Sequence, residues 1–226
     1  MSASARHAGS HEARAHDGPA HQFDSYEQQE EAASLGMWVF LVTEIMFFGG
    51  LFGAYTIYRA SFPGAFAAAS RRLNVVLGTT NTGVLIFSSF TMALAVRGAQ
   101  LGRRRTVALF LALTMLLGSV FLGIKFYEYY QKVEEHLVPG PSFQFPIDRP
   151  GHAEIFYCLY FAMTGLHATH MIVGLGLLTV MMVMGARGRF TPEYHNPIEC
   201  TGLYWHFVDI IWIFLFPLLY LVGRHG

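Results

Sequence analysis

Residues 204–216 of the chain read YWHFVDIIWIFLF, an apolar run in which His206 and Asp209 are the most polar side chains. Residues three positions apart lie on the same face of a helix, so both side chains point to one side of it. A polar or ionisable group in hydrocarbon is costly and is usually retained for a partner or a function. The stretch therefore predicts a membrane-spanning helix with one polar face.

The composition of the whole chain favours a membrane protein. Of its 226 residues, 53% are hydrophobic and 13% are charged, and the formal net charge is zero. Soluble domains carry about 25% charged residues, roughly twice this share. The balanced charge also argues against a nucleic-acid partner, because such a partner requires a basic surface.

Four more apolar stretches precede the last one. The five stretches are 35–57, 75–96, 106–124, 155–186 and 203–223. A helix needs about 20 apolar residues to cross a bilayer, and each stretch reaches or approaches that length. Short segments rich in proline, glycine or arginine separate the stretches, and no segment reads as a strand. We therefore predict an all-α membrane protein, with a bundle of five transmembrane helices over residues 35–226.

The first 34 residues differ in character from the rest. They have no apolar core and mix basic with acidic side chains, so they do not read as a signal peptide. Residues 1–34 are instead predicted to be a polar, flexible cytoplasmic arm. Four histidines in it could bind a metal ion loosely, but no cysteine or fixed turn frames them, and a solvated arm is the favoured interpretation.

The basic residues between the apolar stretches indicate which end of the bundle faces the cytoplasm. The side of the amino terminus would hold eight of them and the opposite side six. Three of the eight, Arg103 to Arg105, occupy a very short loop, where the positive-inside rule is obeyed best. We therefore expect the N-terminus to be cytoplasmic and the C-terminus to be periplasmic or extracellular.

Five ionisable side chains fall well inside the predicted spans. They are Glu44 in the first span, His167 and His170 in the fourth, and His206 and Asp209 in the fifth. A rise of 1.5 Å per residue puts all five at similar depth, in the central to inner half of the bilayer. Lipid offers no hydrogen-bond partner there, so we expect them to face one another in a polar layer that links spans one, four and five.

Three interpretations of this layer are open. The favoured one is that hydrogen bonds between helices, worth about 0.6–2 kcal/mol each, fix the register of the bundle. The second is a proton path in which Glu44 exchanges protons with a histidine. The third is a metal site, but His-x-x-His is common without a metal, and the repeated Glu-x-x-His of di-iron bundles is missing. We predict no catalytic residue and no metal in this chain.

Lys125 and Glu128 form another pair, near the outer end of the third span. Their spacing of three puts them on one helix face, and long charged side chains near a helix end can reach water. We expect an ion pair that snorkels to the interface, with a role in transport as the alternative.

Taken together, these residues resemble subunit III of the haem-copper cytochrome c oxidases. The run Trp205-His206-Phe207-Val208-Asp209 with Trp212 resembles the last helix of that family, and Thr43-Glu44 resembles the helix that bears its carbodiimide-sensitive carboxylate. The other matching segments, in chain order, are Leu73-Asn74, Asn81-Thr82, Ser88-Ser89, Glu128-Tyr129, and Thr164-Gly165 with His167, His170 and Gly174. The likeness covers about residues 35–223. Mammalian-type members have seven helices, and this chain matches the last five, as in many bacterial forms.

The resemblance implies a non-catalytic accessory subunit of an aerobic respiratory oxidase in the bacterial inner membrane. Such a subunit is expected to sit beside the catalytic subunit I and other oxidase subunits, which hold the haem and copper. It is also expected to bind phospholipid and to support proton uptake, oxygen access and the stability of the catalytic subunit. By the same likeness, Glu44 is the buried carboxylate and Arg187 is a candidate for binding a lipid headgroup.

Other functions stay open at this point. A subunit III-like component of a quinol oxidase or of a nitric oxide reductase complex would look similar, because partner subunits bind the electron donor. An independent membrane transporter belongs to a different class. It would be expected to carry inverted repeats or broken helices, and the sequence shows neither.

Overall fold

A computed structural model describes residues 25–146, 150–187 and 196–221 of the chain. Within these ranges the chain forms six α-helices and a final π-helical turn, without any strand. The elements are α1 (Tyr26–Ser61), α2 (Pro63–Arg71), α3 (Val75–Gln100), α4 (Arg104–Glu134), α5 (Pro150–Ala186), α6 (Asn196–Phe216) and the π-helical turn (Pro217–Leu221). All of these helices except α2 are long and apolar enough to cross a membrane. The predicted all-α bundle of five spanning helices is confirmed.

The first helix begins earlier than the sequence predicts. Ser25 caps it, because its hydroxyl accepts a hydrogen bond from the backbone N–H of Gln28 at 3.1 Å. Residues 26–34, predicted to be part of the polar arm, are therefore the first turns of α1. The histidines of the predicted arm, His7, His11, His16 and His21, lie outside the described residues.

Helix α2 occupies a segment that lies between two of the spans predicted from the sequence. Pro63 stands in its first turn, where a missing N–H costs nothing. Phe66, Ala69 and Ser70 are buried, so this short helix packs across the end of the bundle rather than into solvent. It meets the π-helical turn there, where the Ser70 hydroxyl donates to the backbone oxygen of Leu219 at 2.7 Å.

The five spanning helices differ in how much of their surface the bundle covers. Helices α3 and α4 form an antiparallel hairpin joined by a tight turn, and α6 packs between α3, α5 and α1. In the most apolar window of α6, 56% of the residues are buried, whereas the corresponding value for α1 is 11%. Helix α6 is therefore the centre of the bundle, and α1 lies at its edge.

A tryptophan locks three of the helices to α6. Trp205 is fully buried and donates its indole N–H to the Ser88 hydroxyl of α3 at 3.1 Å. Its ring lies against Gly118 of α4 and Gly174 of α5, where an added Cβ would come within 2.7 and 3.0 Å of ring atoms. The ring therefore takes the space of a side chain at Gly118, and at Gly174 it leaves room only for a contact tighter than usual.

Candidate functional site

Glu44 and His170 meet, as the sequence predicts for members of the polar layer. The Glu44 Oε2 atom lies 3.1 Å from His170 Nε2, which ties α1 to α5, and both side chains are partly buried. The hydroxyl of Tyr204 on α6 donates to the backbone oxygen of His170 at 3.0 Å. Spans one, four and five therefore converge at this point.

The geometry of His170 shows how the pair holds its proton. His170 Nδ1 lies 2.9 Å from the backbone oxygen of Leu166. A carbonyl oxygen can only accept, so Nδ1 is the donor in that bond. Nε2 then either accepts from a protonated Glu44 or donates to a carboxylate. In both cases one proton lies between the two side chains, so each is the hydrogen-bond partner of the other.

His206 does not join this pair. Its Nδ1 atom lies 2.7 Å from the Ser89 hydroxyl of α3, and the two side chains are partly exposed on the other flank of α6. Each residue turns a helix by about 100°, so Tyr204 and His206 point to nearly opposite sides. The depth of His206 can be predicted by counting residues in the sequence, but the direction in which its side chain points cannot.

His167 and Asp209 are buried and also stay apart from the pair of Glu44 and His170. The His167 ring lies 5.5 Å from the ring of Phe121 and 5.2 Å from that of Trp212, measured between centroids. Asp209 lies beside Ser89. Neither His167 nor Asp209 makes a side-chain hydrogen bond of acceptable geometry to any residue that the structure describes. Of the five predicted members, only Glu44 and His170 bond to each other, so the prediction that all five face one another in a single polar layer is wrong.

The predicted ion pair of Lys125 and Glu128 is confirmed, with 3.1 Å between Nζ and Oε2, but the prediction that it snorkels to the interface is wrong. Their exposed fractions are 2% and 1%, so the pair does not reach water. The reason is that α4 does not end near residue 124 but continues to Glu134, which places Lys125 about 14 Å from the end of the helix.

The Lys125 ammonium is fully engaged by its surroundings. Lys125 Nζ donates to Glu128 Oε2 at 3.1 Å, to the Tyr160 hydroxyl at 3.2 Å and to the Tyr220 hydroxyl at 3.0 Å. Tyr220 donates in turn to Glu128 Oε1 at 2.6 Å. Four aromatic rings stand around Nζ with their centroids at 4.9–5.6 Å, a distance at which the ring faces attract a cation. We call Lys125, Glu128, Tyr160 and Tyr220 the lysine network.

The sequence holds one signal that points to this network. Pro217 lies near the end of the last apolar stretch and ends α6, and the π-helical turn that follows carries Tyr220 into the core. The turn is held from two other helices, because the Tyr55 hydroxyl donates to the Leu218 oxygen at 2.8 Å and Ser70 binds Leu219. The ion pair of α4 is therefore enclosed by Tyr160 of α5 and by Tyr220 of the π-helical turn, which α1 and α2 hold in place.

The arrangement of five spans with polar side chains inside them can be compared with known proteins. Residues 21–224 match the family model described as cytochrome c oxidase subunit III. The chain belongs to this family. Subunit III proteins of this family are components of haem-copper oxidases, so the chain is a multi-pass membrane protein that partners other oxidase subunits.

Curated relatives of subunit III cover both kinds of electron donor. A probable cytochrome c oxidase subunit 3 of Nocardia farcinica is 34% identical over 84% of this chain and 87% of its own length. Quinol oxidase subunit 3 of Bacillus subtilis is 30% identical over 85% and 88%. Cytochrome bo(3) ubiquinol oxidase subunit 3 of Pseudomonas putida is 30% identical over 84% and 85%. The resemblance drawn from the sequence is therefore confirmed at the level of the family.

Two further predictions for this subunit III concern its ligands. Arg187 follows the last residue of α5, where its side chain is exposed at the end of the span. Binding of a lipid headgroup by Arg187 stays a prediction. Among the residues that the structure describes, no three His, Cys, Asp or Glu side chains come together as a metal ion would require.

Proposed function

We propose that this chain is a non-catalytic accessory subunit of an aerobic respiratory haem-copper oxidase, whose haem and copper are held by partner subunits. The observation that carries the proposal is the way in which the polar side chains of the spans are used. Glu44 bonds to His170, His206 bonds to Ser89, and Lys125 is enclosed by its own network. A haem-copper centre requires several histidines at one place, whereas His170 lies beside Glu44, His206 beside Ser89 and His167 between the rings of Phe121 and Trp212.

The bundle supports a role as a docking partner of the catalytic subunit I. Hydrogen bonds between helices hold α1 to α5, α3 to α6, and α4 to both α5 and the π-helical turn. A helix bundle held together by these bonds offers a stable surface against which a larger membrane subunit can pack. Stabilising subunit I, keeping oxygen access open and assisting proton uptake are the roles that family membership supports.

Phospholipid binding belongs to the same proposal. The spanning helices expose long apolar surfaces, among them Met46 of α1 and Leu109 of α4. Arg187 and the Arg103–Arg105 turn lie at the same end of the bundle, where α1 begins and where basic side chains could meet lipid phosphates. The short basic turn also supports a cytoplasmic N-terminus and a C-terminus on the opposite side of a bacterial inner membrane.

The test of this function compares the oxidase with and without the chain. The complex is purified in mild detergent and divided, and the chain is removed from one portion by a stronger detergent. We expect similar initial rates of oxygen uptake, but fewer turnovers before inactivation in the portion that lacks the chain. Re-addition of the chain with phospholipid restores the number of turnovers. An initial rate of zero after removal, with haem spectra unchanged, would show instead that the chain takes part in catalysis.

A second candidate is a quinol oxidase, because two of the relatives above carry that description. Assays of oxygen uptake by the same purified complex identify its electron donor. Oxygen uptake driven by reduced cytochrome c indicates the first candidate, and uptake driven only by a quinol indicates the second.

A further inference from the structure

The pair of His206 and Ser89 lies on an outward-facing surface of the bundle. Its neighbours on this surface are apolar and exposed, namely Ile86 of α3, with an exposed fraction of 55%, and Ile210 of α6, with 50%. Ile213 continues the same stripe on α6, since positions 206, 210 and 213 share one helix face. We call these five residues the α3–α6 face.

One atom of this face has no partner in the bundle. His206 Nδ1 is engaged by Ser89, but Nε2 makes no hydrogen bond to any residue within the described ranges. A ring nitrogen is a donor or an acceptor in every protonation state, so Nε2 requires a partner of its own. By contrast, His170 uses both ring nitrogens, one with Leu166 and one with Glu44.

The depth of His206 limits what that partner can be. It lies ten residues into a span of 26 residues, about 15 Å from its start and close to the middle of the bilayer. Neither water nor lipid headgroups reach this depth in the hydrocarbon, and acyl chains offer no hydrogen bond. A polar group from another protein helix is the remaining source.

The exposed serine and threonine side chains of α1, α4 and α5 do not have this need. Thr43 and Thr56 of α1 donate to backbone oxygens of their own helix, and Ser119 of α4 and Thr169 of α5 do the same. The exposed surfaces around them are otherwise apolar and can be solvated by lipid without penalty. His206 therefore distinguishes the α3–α6 face from the exposed faces of α1, α4 and α5.

We propose that the α3–α6 face docks a transmembrane helix of another oxidase subunit, which presents a polar side chain to His206 Nε2 near the middle of the membrane. The proposal rests on the proposed function, since it requires assembly with other subunits. A hydroxyl, amide or carboxyl group fits the chemistry of Nε2. Asp209, buried beside Ser89 and without a bond to a described residue, adds a second polar group close to this contact.

Photo-crosslinking in the intact, haem-containing complex tests the location. Benzoylphenylalanine is placed at Ile86 or Ile210 on the α3–α6 face, and at Leu116 on the exposed side of α4 as the control. Leu116 has an exposed fraction of 60% and lies at a similar depth, about 18 Å from the start of α4. We expect at least a fivefold higher yield of crosslinks to a multi-spanning subunit from Ile86 and Ile210. Equal or higher yields from Leu116, or products with lipid alone from the α3–α6 face, would overturn the proposal.

A substitution series tests the role of the imidazole. One lost hydrogen bond between helices raises the dissociation constant of the complex about 3- to 20-fold, and we expect this from His206→Phe. His206→Asn is expected to bind more tightly than His206→Phe, because an amide can still bond to the partner. Thr56→Val is the control, since Thr56 bonds to its own helix. Wild-type affinity for His206→Phe, or equal losses for the control, would contradict the proposal.

The proposed function and the proposed docking face would be contradicted by different results. If the wild-type chain purifies without haem or partner subunits, the proposed function is wrong. If haem and partners co-purify while the crosslinks map to α4, the proposed function stands and the α3–α6 docking face is wrong.

Discussion

At the scale of single residues, the lysine network shows how a charge is kept inside this protein. The ammonium of Lys125 has three N–H donors, and each of them has an oxygen acceptor. A buried ion pair adds little stability compared with apolar residues, but the loss of one partner leaves an uncompensated charge. The network is therefore expected to be far more sensitive to single than to double substitution.

Lys125→Met should destabilise the protein by about 3–5 kcal/mol, because Glu128 would be left in the core without its cation. The double variant with Glu128→Leu should recover much of that loss, since both charges are then removed. Tyr130→Phe on the exposed side of the same helix is the control. Unfolding in a denaturing detergent, followed by circular dichroism, measures the differences. A double variant no more stable than Lys125→Met would contradict this account.

Glu44 gives a prediction about reactivity. Carbodiimides modify the acid form of a carboxyl group, and the partly exposed Glu44 shares one proton with His170, whereas Glu128 is enclosed. A membrane-permeant carbodiimide should therefore modify Glu44 and leave Glu128 unmodified, as read by peptide mass spectrometry. Glu44→Gln supplies the blank. Modification of Glu128 without modification of Glu44 would count against the placement of both side chains.

At the scale of the elements, close approach between helices depends on Trp205. Its ring fills the space beside Gly118 and Gly174, so α4, α5 and α6 approach more closely than larger residues would allow. Trp205 therefore contacts three other helices at once, namely α3, α4 and α5.

Gly118→Ala should destabilise the bundle by about 1–3 kcal/mol, because the new Cβ would lie 2.7 Å from a carbon of the Trp205 ring. Gly123→Ala on the same helix is the matched control, since no atom lies within 4 Å of its added Cβ. That control should be neutral or slightly stabilising, because alanine favours a helix more than glycine does. Thermal unfolding in detergent compares the stabilities of the two variants. Equal stability would show that the Trp205 ring does not determine the spacing of the helices.

The elements also show what the sequence could and could not predict. Length and hydropathy are properties of single segments, so the five spans follow from the sequence alone. Helix α2 does not, because its nine residues begin with Pro63-Gly64 and become helical by burying Phe66 against the bundle. The depths of Glu44, His170 and His206 follow from counting residues. Their partners depend on helix rotation, where one residue changes the direction by about 100°, and this is why His206 meets Ser89 and not Glu44.

At the scale of the whole molecule, polar side chains hold together a body whose surface is largely apolar. Bonds between Glu44 and His170 and between His206 and Ser89 lie near the middle of the spans. The lysine network and α2 close one end, where the π-helical turn is bonded by Tyr55 and Ser70. Such an arrangement suits a subunit that is held beside another protein, and the family to which the chain belongs is one of oxidase subunits.

We propose that this chain assembles with a haem-bearing partner and carries no redox centre itself. Native mass spectrometry of the oxidase, released from mild detergent and then dissociated stepwise in the gas phase, tests it directly. The account predicts that the chain leaves at its own sequence mass, with or without phospholipid, while haem and copper stay with the remaining subunits. Release of the chain with haem or copper bound, or its absence from every haem-containing assembly, would contradict the account.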